Sequence, residues 1–202
     1  MTEFRTGYGA AWLDLLASLT GRYLETTREL LPDPEAARRW LAEHDLEPVA
    51  PVTEGDLEAL RALREAVHRT AAATVRGDRP TDSDLATIDR ALADDRPGRL
   101  EPSTLDAAHT GRLVVSRPRT AAEAAGRLAR HAVDDMSGPR RELLRFCGDS
   151  DCAGIFLDHT GRRRWCADER CGVRARVRAH RARARGATGP GPGGQVSAGK
   201  GS

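Results

Sequence analysis

All four cysteines of the chain fall within 25 of its 202 residues, as Cys147-x4-Cys152-x13-Cys166-x4-Cys171. No other feature limits the fold as strongly. Each pair presents two thiolates from a tight knuckle, and two knuckles meeting at one point create the tetrahedral four-sulfur environment that zinc favours. Such a site is coordinatively closed, so it suits one structural zinc per chain rather than a catalytic ion. Gly148 and Gly172 each follow a cysteine, where a turn around a metal is expected to need positive φ. Formation of the site would supply on the order of 10 kcal/mol of apparent folding free energy to a segment with little core of its own. A redox pair and an iron–sulfur centre remain open on the residues alone, whereas cysteines used only for packing would not cluster in this way. With four thiols available, His159 and His180 read as surface residues.

The start, MTEFRTGYGAAWLDLLASLT, carries Glu3 and Asp14 and has no long apolar run, and no stretch is apolar enough to span a membrane. The expected compartment is therefore the cytoplasm, where clustered cysteines hold metal more readily than they form disulfides. Net charge is +2, but it is segregated. Residues 140–185 hold 13 arginines against 6 acids, while residues 1–139 hold 18 arginines against 24 acids. An acidic body joined to a basic module is the asymmetry of a chain that contacts a polyanion through one end.

The body reads as mostly helical. Trp12, Leu13, Leu15, Leu16 and Leu19 place a first buried helix over 11–20. Asp33 followed by Pro34 opens a helix over 35–44. Thr53 to Asp56 is a start signal for the longest helix, 54–76, with Leu57, Leu60, Leu63 and Val67 at helical spacing. Thr81 caps a helix to about residue 94, and Thr120-Ala-Ala-Glu123 matches a capping box for another to about residue 135. Leu100 and Leu113–Val115 predict a short β-hairpin. Residues 140–146 predict a helical lead-in to the first cysteine. The expected fold is α+β: a predominantly helical N-terminal domain with a short hairpin over 1–139, a small four-cysteine zinc finger with a basic helix over 140–185, and a tail over 186–202. That tail is too poor in apolar side chains to offset its ordering entropy and reads as disordered.

Between the cysteine pairs, Ile155–Leu157 predicts a strand, 158–161 a turn and Arg163–Trp165 the returning strand. Phe156 and Trp165 read as the small apolar core of the metal module in preference to base-stacking platforms. After Cys171, a run of alanine and arginine predicts a helix. At helical periodicity Arg174, Arg178, Arg181 and Arg185 fall within roughly 60° of one another, with Arg176 and Arg183 opposite. Four guanidinium groups on one face can follow a row of phosphates or enter a major groove. A solvated charged face is the plainer meaning of such a run, but this stripe contains no compensating acid and directly follows a metal knuckle.

The run Cys147…Cys152-x3-Phe156-x-Asp158…Arg163-Arg164-Trp165-Cys166…Cys171-Gly172-Val173-Arg174 resembles the CGNR zinc finger, a module of bacterial proteins described as stress-induced transcription regulators. Trp12-Leu13-Asp14-Leu15-Leu16 and Gly21-Arg22 resemble the opening of that family's α-rich N-terminal domain. The resemblance implies zinc held by the four cysteines, DNA binding through the finger and its helix, and a body that senses a small-molecule or stress ligand or mediates assembly. Two positions depart from the pattern: Val173 stands where the family has Asn, and Ala17-Ser18 where it usually has Asn-Thr. Val173 is not a metal ligand, so its effect falls on a turn or a DNA contact.

These readings point to a zinc-dependent regulator of transcription with duplex DNA as partner. Arg174, Arg178, Arg181 and Arg185 would contact phosphates or base edges, and Arg162, Arg163 and Arg164 would add backbone contacts. Paired half-sites commonly bind dimers, which raises a homodimer as one arrangement. The alternative is an interaction module gripping an acidic protein or RNA. Zinc thiolates are nucleophilic, so redox sensitivity is a further expectation. An enzyme is disfavoured: the chain has no Gly-rich phosphate loop and no HExxH, and His44, His68, His109 and His131 are scattered.

Overall fold

The computed structural model describes residues 4–22, 24–102 and 113–187. Six helices and three two-stranded antiparallel sheets make up most of it: α1 (Ala11–Leu16), β1 (Leu19–Thr20), β2 (Arg28–Glu29), α2 (Pro34–Glu43), α3 (Glu54–Arg76), α4 (Asp82–Leu92), β3 (Leu100–Pro102), β4 (Leu113–Val115), α5 (Ala121–Ser137), β5 (Leu144–Phe146), β6 (Ile155–Leu157) and α6 (Val173–Ala187). A 3-10 turn over Pro139–Leu143 precedes β5, and a wide helical turn over Asp168–Gly172 leads into α6. The fold is α+β and mostly helical. Gly186 and Ala187, expected in the disordered tail, continue α6, and the rest of that tail, from residue 188 onward, lies outside the described residues.

Local chemistry accounts for the helix limits. Thr53 and Asp56 close a reciprocal capping box at the start of α3, and Gly77 ends that helix in the left-handed conformation, φ 76°. Asp33 accepts from Ala36 N at 2.7 Å with Pro34 in the first turn of α2. At α5 the Thr120 hydroxyl accepts from Glu123 N, but the Glu123 carboxylate takes Arg119 N, one residue before the position a capping box requires.

Helix α1 ends four residues earlier than the apolar spacing predicts. Ser18 is the cause: its hydroxyl turns back onto Leu15 O at 2.7 Å and accepts from the Arg64 guanidinium at 2.9 Å, so the chain leaves the helix and pairs β1 with β2. The buried Arg64 is in turn held by both carboxylate oxygens of Glu29. Ser18 therefore has a defined polar role.

Two further expectations are corrected around the metal module. The lead-in over 140–146 is a 3-10 turn and a strand, and the partner of β6 is that strand, β5, in the register Leu144↔Leu157 and Phe146↔Ile155. Arg163–Trp165 forms no strand, because its Arg164 carbonyl is spent on Gly148 N at 2.8 Å. The predicted hairpin of β3 and β4 is present, in the register Leu100↔Val115.

The metal module does not keep a core to itself. Ile155, Phe156 and Leu157 are all buried within one cluster that also contains Trp12 and Leu13 of α1, Leu57 and Leu63 of α3, and Leu128 of α5. Leu157 N donates to Tyr8 O and Asp158 N to Leu143 O, each at 2.9 Å. The loop before α1 is fixed by Asp14, which accepts from Tyr8 N at 2.8 Å and meets His44 Nε2 at 3.2 Å. From α3, a His68 ring nitrogen reaches the Ala153 carbonyl at 3.1 Å.

Two outcomes follow. Gly126 of α5 has no room for a Cβ, which would lie 2.6–2.9 Å from the backbone at Asp94 and Asp95. Gly126→Ala should therefore cost about 1–3 kcal/mol in chemical denaturation. Burial first, and then the charge of Arg22, hold the His68 imidazole down at about 4 from an ordinary 6.5, against the opposing effect of the Ala153 hydrogen bond. Below pH 6.5 the unfolded chain takes up a proton that the native state refuses, so His68 removes stability as pH falls from about 6.5 to about 4, by up to about 3 kcal/mol. In urea titrations, His68→Gln should lose less stability than the parent chain between pH 7 and pH 5.

Candidate metal centre

The strand pair β5–β6 delivers the first knuckle. Cys147 follows β5 directly, and its N–H donates to Gly154 O at 2.8 Å, closing the loop that carries Cys152. Cys166 N donates to the Cys147 sulfur at 3.4 Å, and Gly154 N to that of Cys152 at 3.3 Å, so backbone dipoles already point at two of the sulfurs. Cys171 comes from the wide turn before α6, where its N–H meets Ala167 O.

The four sulfurs lie within 4.8 Å of one another, with Cys152–Cys166 at 3.6 Å and Cys166–Cys171 at 3.5 Å. Zinc–thiolate bonds of about 2.3 Å in a tetrahedron set sulfurs roughly 3.8 Å apart. The donor set thus fits one zinc ion, in identity, number and spacing. Cys147, Cys166 and Cys171 are buried and Cys152 half-buried.

Four thiols at this spacing cannot all ionise unaided. Hydrogen bonds from Cys152, Cys166 and Cys171 favour a thiolate at Cys147 and hold it well below the usual thiol range. At Cys152, the bond with Cys147 raises the thiol while those with Cys166 and Cys171 lower it, for a net fall to about 7. The bonds with Cys147 and Cys152 push Cys166 and Cys171 upward, because each would ionise beside an existing thiolate. A divalent cation replaces the shared protons and removes that conflict.

Glycines shape the centre by size, not by positive φ. Neither Gly148 nor Gly172 has a left-handed backbone, contrary to the expectation from sequence. A Cβ at Gly148 would meet Arg164 O at 3.0 Å, and one at Gly172 would collide with the Asp168 carboxylate. Gly154 is the tightest against the sulfurs: its Cβ would sit 3.1 Å from those of both Cys152 and Cys166.

The arginines divide into two groups. Asp149, inside the first knuckle and with a wholly buried side chain, accepts from Arg174 Nε at 2.8 Å and pairs with Arg178. Arg178 also pairs with Asp151, and Arg174 Nη2 reaches the Cys171 sulfur at 3.3 Å. Acids from across the centre therefore compensate half of the stripe that looked uncompensated along its own helix. Arg163 is also committed, to the carbonyls of Trp165, Cys166 and Gly7, with its guanidinium 4.6 Å from the Phe156 ring.

Arg162, Arg164 and Arg181 are exposed, and none forms an ion pair with a described carboxylate. The backbone of α6 continues through Arg185, whose side chain lies outside the described residues. Phe156 is a core residue, as expected. Trp165 is half-buried and approached by the guanidinium groups of Arg164 and Arg176. Asp149 and Asp151 are the two acids inside the four-residue knuckle loop between Cys147 and Cys152, but nothing in their spacing names their arginine partners.

A family model, ABATE, described as "Putative stress-induced transcription regulator", matches residues 9–139. A second, the CGNR zinc finger, matches residues 144–184. No curated protein matches the chain.

Native mass spectrometry should find one zinc per chain, lost in Cys166→Ser. Gly154→Ala, which crowds two sulfurs, should weaken zinc by about 10–100-fold in competition with a chelator. Retention of parental zinc affinity in that variant would contradict the geometry.

Proposed function

The chain belongs to the ABATE family of transcription regulators and carries a CGNR zinc finger; from that premise we propose that it binds duplex DNA through the finger, with one zinc held by Cys147, Cys152, Cys166 and Cys171. Those families are regulators and zinc-binding modules, not enzymes. The observation that carries the reading is the bridge from Asp149 to Arg174 and Arg178. A buried carboxylate in the first knuckle fixes α6 at the edge of the metal centre, so the helix is presented as a rigid element. Zinc, when bound, supplies the cation that four thiolates require. It takes part in no reaction.

On this reading the predicted contact residues have two roles. Arg174 and Arg178 orient the helix, and Arg163 anchors the return of the finger onto the body. Arg162, Arg164 and Arg181 face solvent and supply the charge that follows phosphates, with Arg185 one turn beyond Arg181. Residues 1–139 form the sensing or assembly body, 140–185 the finger with its helix, and 186–202 a tail. No helix among the described residues is long and apolar enough to cross a membrane, and a regulator acting on DNA would work in the cytoplasm.

Selection of zinc-loaded protein against a random duplex library at near-physiological salt should enrich a motif. Each phosphate-contacting arginine should add about 0.9 to the slope of log affinity against log salt, so Arg162→Glu with Arg181→Glu should flatten it by about 2 while zinc is retained. Unchanged affinity in that double variant would remove these residues from the interface. Failure to recover any duplex would transfer the finger to an acidic protein or RNA partner.

A further inference from the structure

Between the body and the finger lies a cleft of about 180 Å³. One wall comes from the loop before α1, from α1 itself and from the turn between β1 and β2. The other comes from the first cysteine knuckle, Asp151 to Ile155, and from Arg174. Leu13, Leu16, Leu24 and Ile155 supply apolar surface.

Arg5, Arg22 and Arg174 line the cleft together with Asp151; Arg22 is paired with Glu65, Arg174 with Asp149 and Asp151 with Arg178. Arg22 is fixed at the wall: its side chain is only 8% exposed, Glu65 pairs with it and Leu16 O accepts from Nη2. The preceding Gly21, at φ 66° and with no room for a Cβ against the Thr26 carbonyl, sets the turn that aims it. Glu65 also pairs with the buried Arg64, which Glu29 holds in turn. Arg5 makes no ion pair with any described residue.

We propose that this cleft binds a small organic anion: a carboxylate or phosphate head group on a short apolar body, the head between Arg5, Arg22 and Arg174 and the body against α1 and Ile155. If the chain is the DNA-binding regulator argued above, occupancy acts on it directly, because Cys152 and Arg174 line the cleft and Arg174 holds Asp149. An anion that draws on Arg174 alters the contact that orients α6, and linkage makes ligand and DNA change each other's affinity by the same factor.

The test uses the zinc-loaded full chain, with benzoate, hexanoate and phenyl phosphate as probes and neutral benzamide as the control, followed by calorimetry without DNA. At least one anion should bind saturably at one per chain, and benzamide at least tenfold more weakly. Arg5→Gln should weaken the anion about tenfold with zinc content and Tm unchanged, and Arg5→Lys should restore most of the affinity. Absence of binding by all three anions, or binding indifferent to Arg5→Gln, would overturn the site. A bound anion that leaves DNA affinity unaltered would overturn the coupling. Anion binding in a protein that recovers no DNA would keep the site and remove the regulator reading.

Discussion

Four cysteine sulfurs gathered within 4.8 Å need a cation, and most of the C-terminal architecture follows from that requirement. Without one, neighbouring thiols must share protons, and the second pair is driven away from the thiolate form by the first. With one, two knuckles that come from a strand pair and a helical turn become a single unit. The helix that follows Cys171, α6, takes its direction from that unit. Asp149 then extends the effect, because a carboxylate with no exposed surface carries its compensation in Arg174 and Arg178 and so ties the helix to the loop around the metal. Leaving a buried charge unpaired would be costly, which makes this bridge a strong determinant of helix orientation.

The finger is joined to the helical body through a shared interior. Phe156 is fully buried in the cluster that holds Trp12 and Leu13, and from the body side Tyr8 O accepts from Leu157 N while His68 reaches the Ala153 carbonyl. A module hung on a flexible linker could search for DNA freely but could not report on a distant ligand. Here the loop before α1, the turn at Gly21 and the first knuckle line one cleft, and Leu157 N donates to Tyr8 O across the junction. The cleft at that junction is therefore well placed for a molecule that would bias the finger.

Helix positions were largely legible from sequence because caps and breakers are local: Thr53 with Asp56, Gly77, and Asp33 before Pro34 each act within one turn. The metal ligands were legible because their spacing is a chemical signature. What failed was non-local. Apolar periodicity carried α1 through Ser18, whose partner Arg64 is 46 residues away. The spacing predicts Arg163–Trp165 as the return strand, whereas the actual partner of β6, β5, lies before the first cysteine, across the knuckle. The arginine stripe looked uncompensated because Asp149 and Asp151 are 25 or more residues from their partners. Glycine identity was legible but its reason was not: Gly148 and Gly172 make room for neighbouring atoms with ordinary backbone angles.

The measurement that bears most directly on this account is X-ray absorption at the zinc edge of the purified, zinc-loaded chain. The account predicts a first shell of four sulfurs at about 2.3 Å with no nitrogen or oxygen, as four thiolates in a closed tetrahedron require. A mixed shell containing nitrogen or oxygen would contradict it. That result would mean that one of the four cysteines is not a ligand and that the centre around which the finger, its helix and the adjoining cleft are organised has been assigned wrongly.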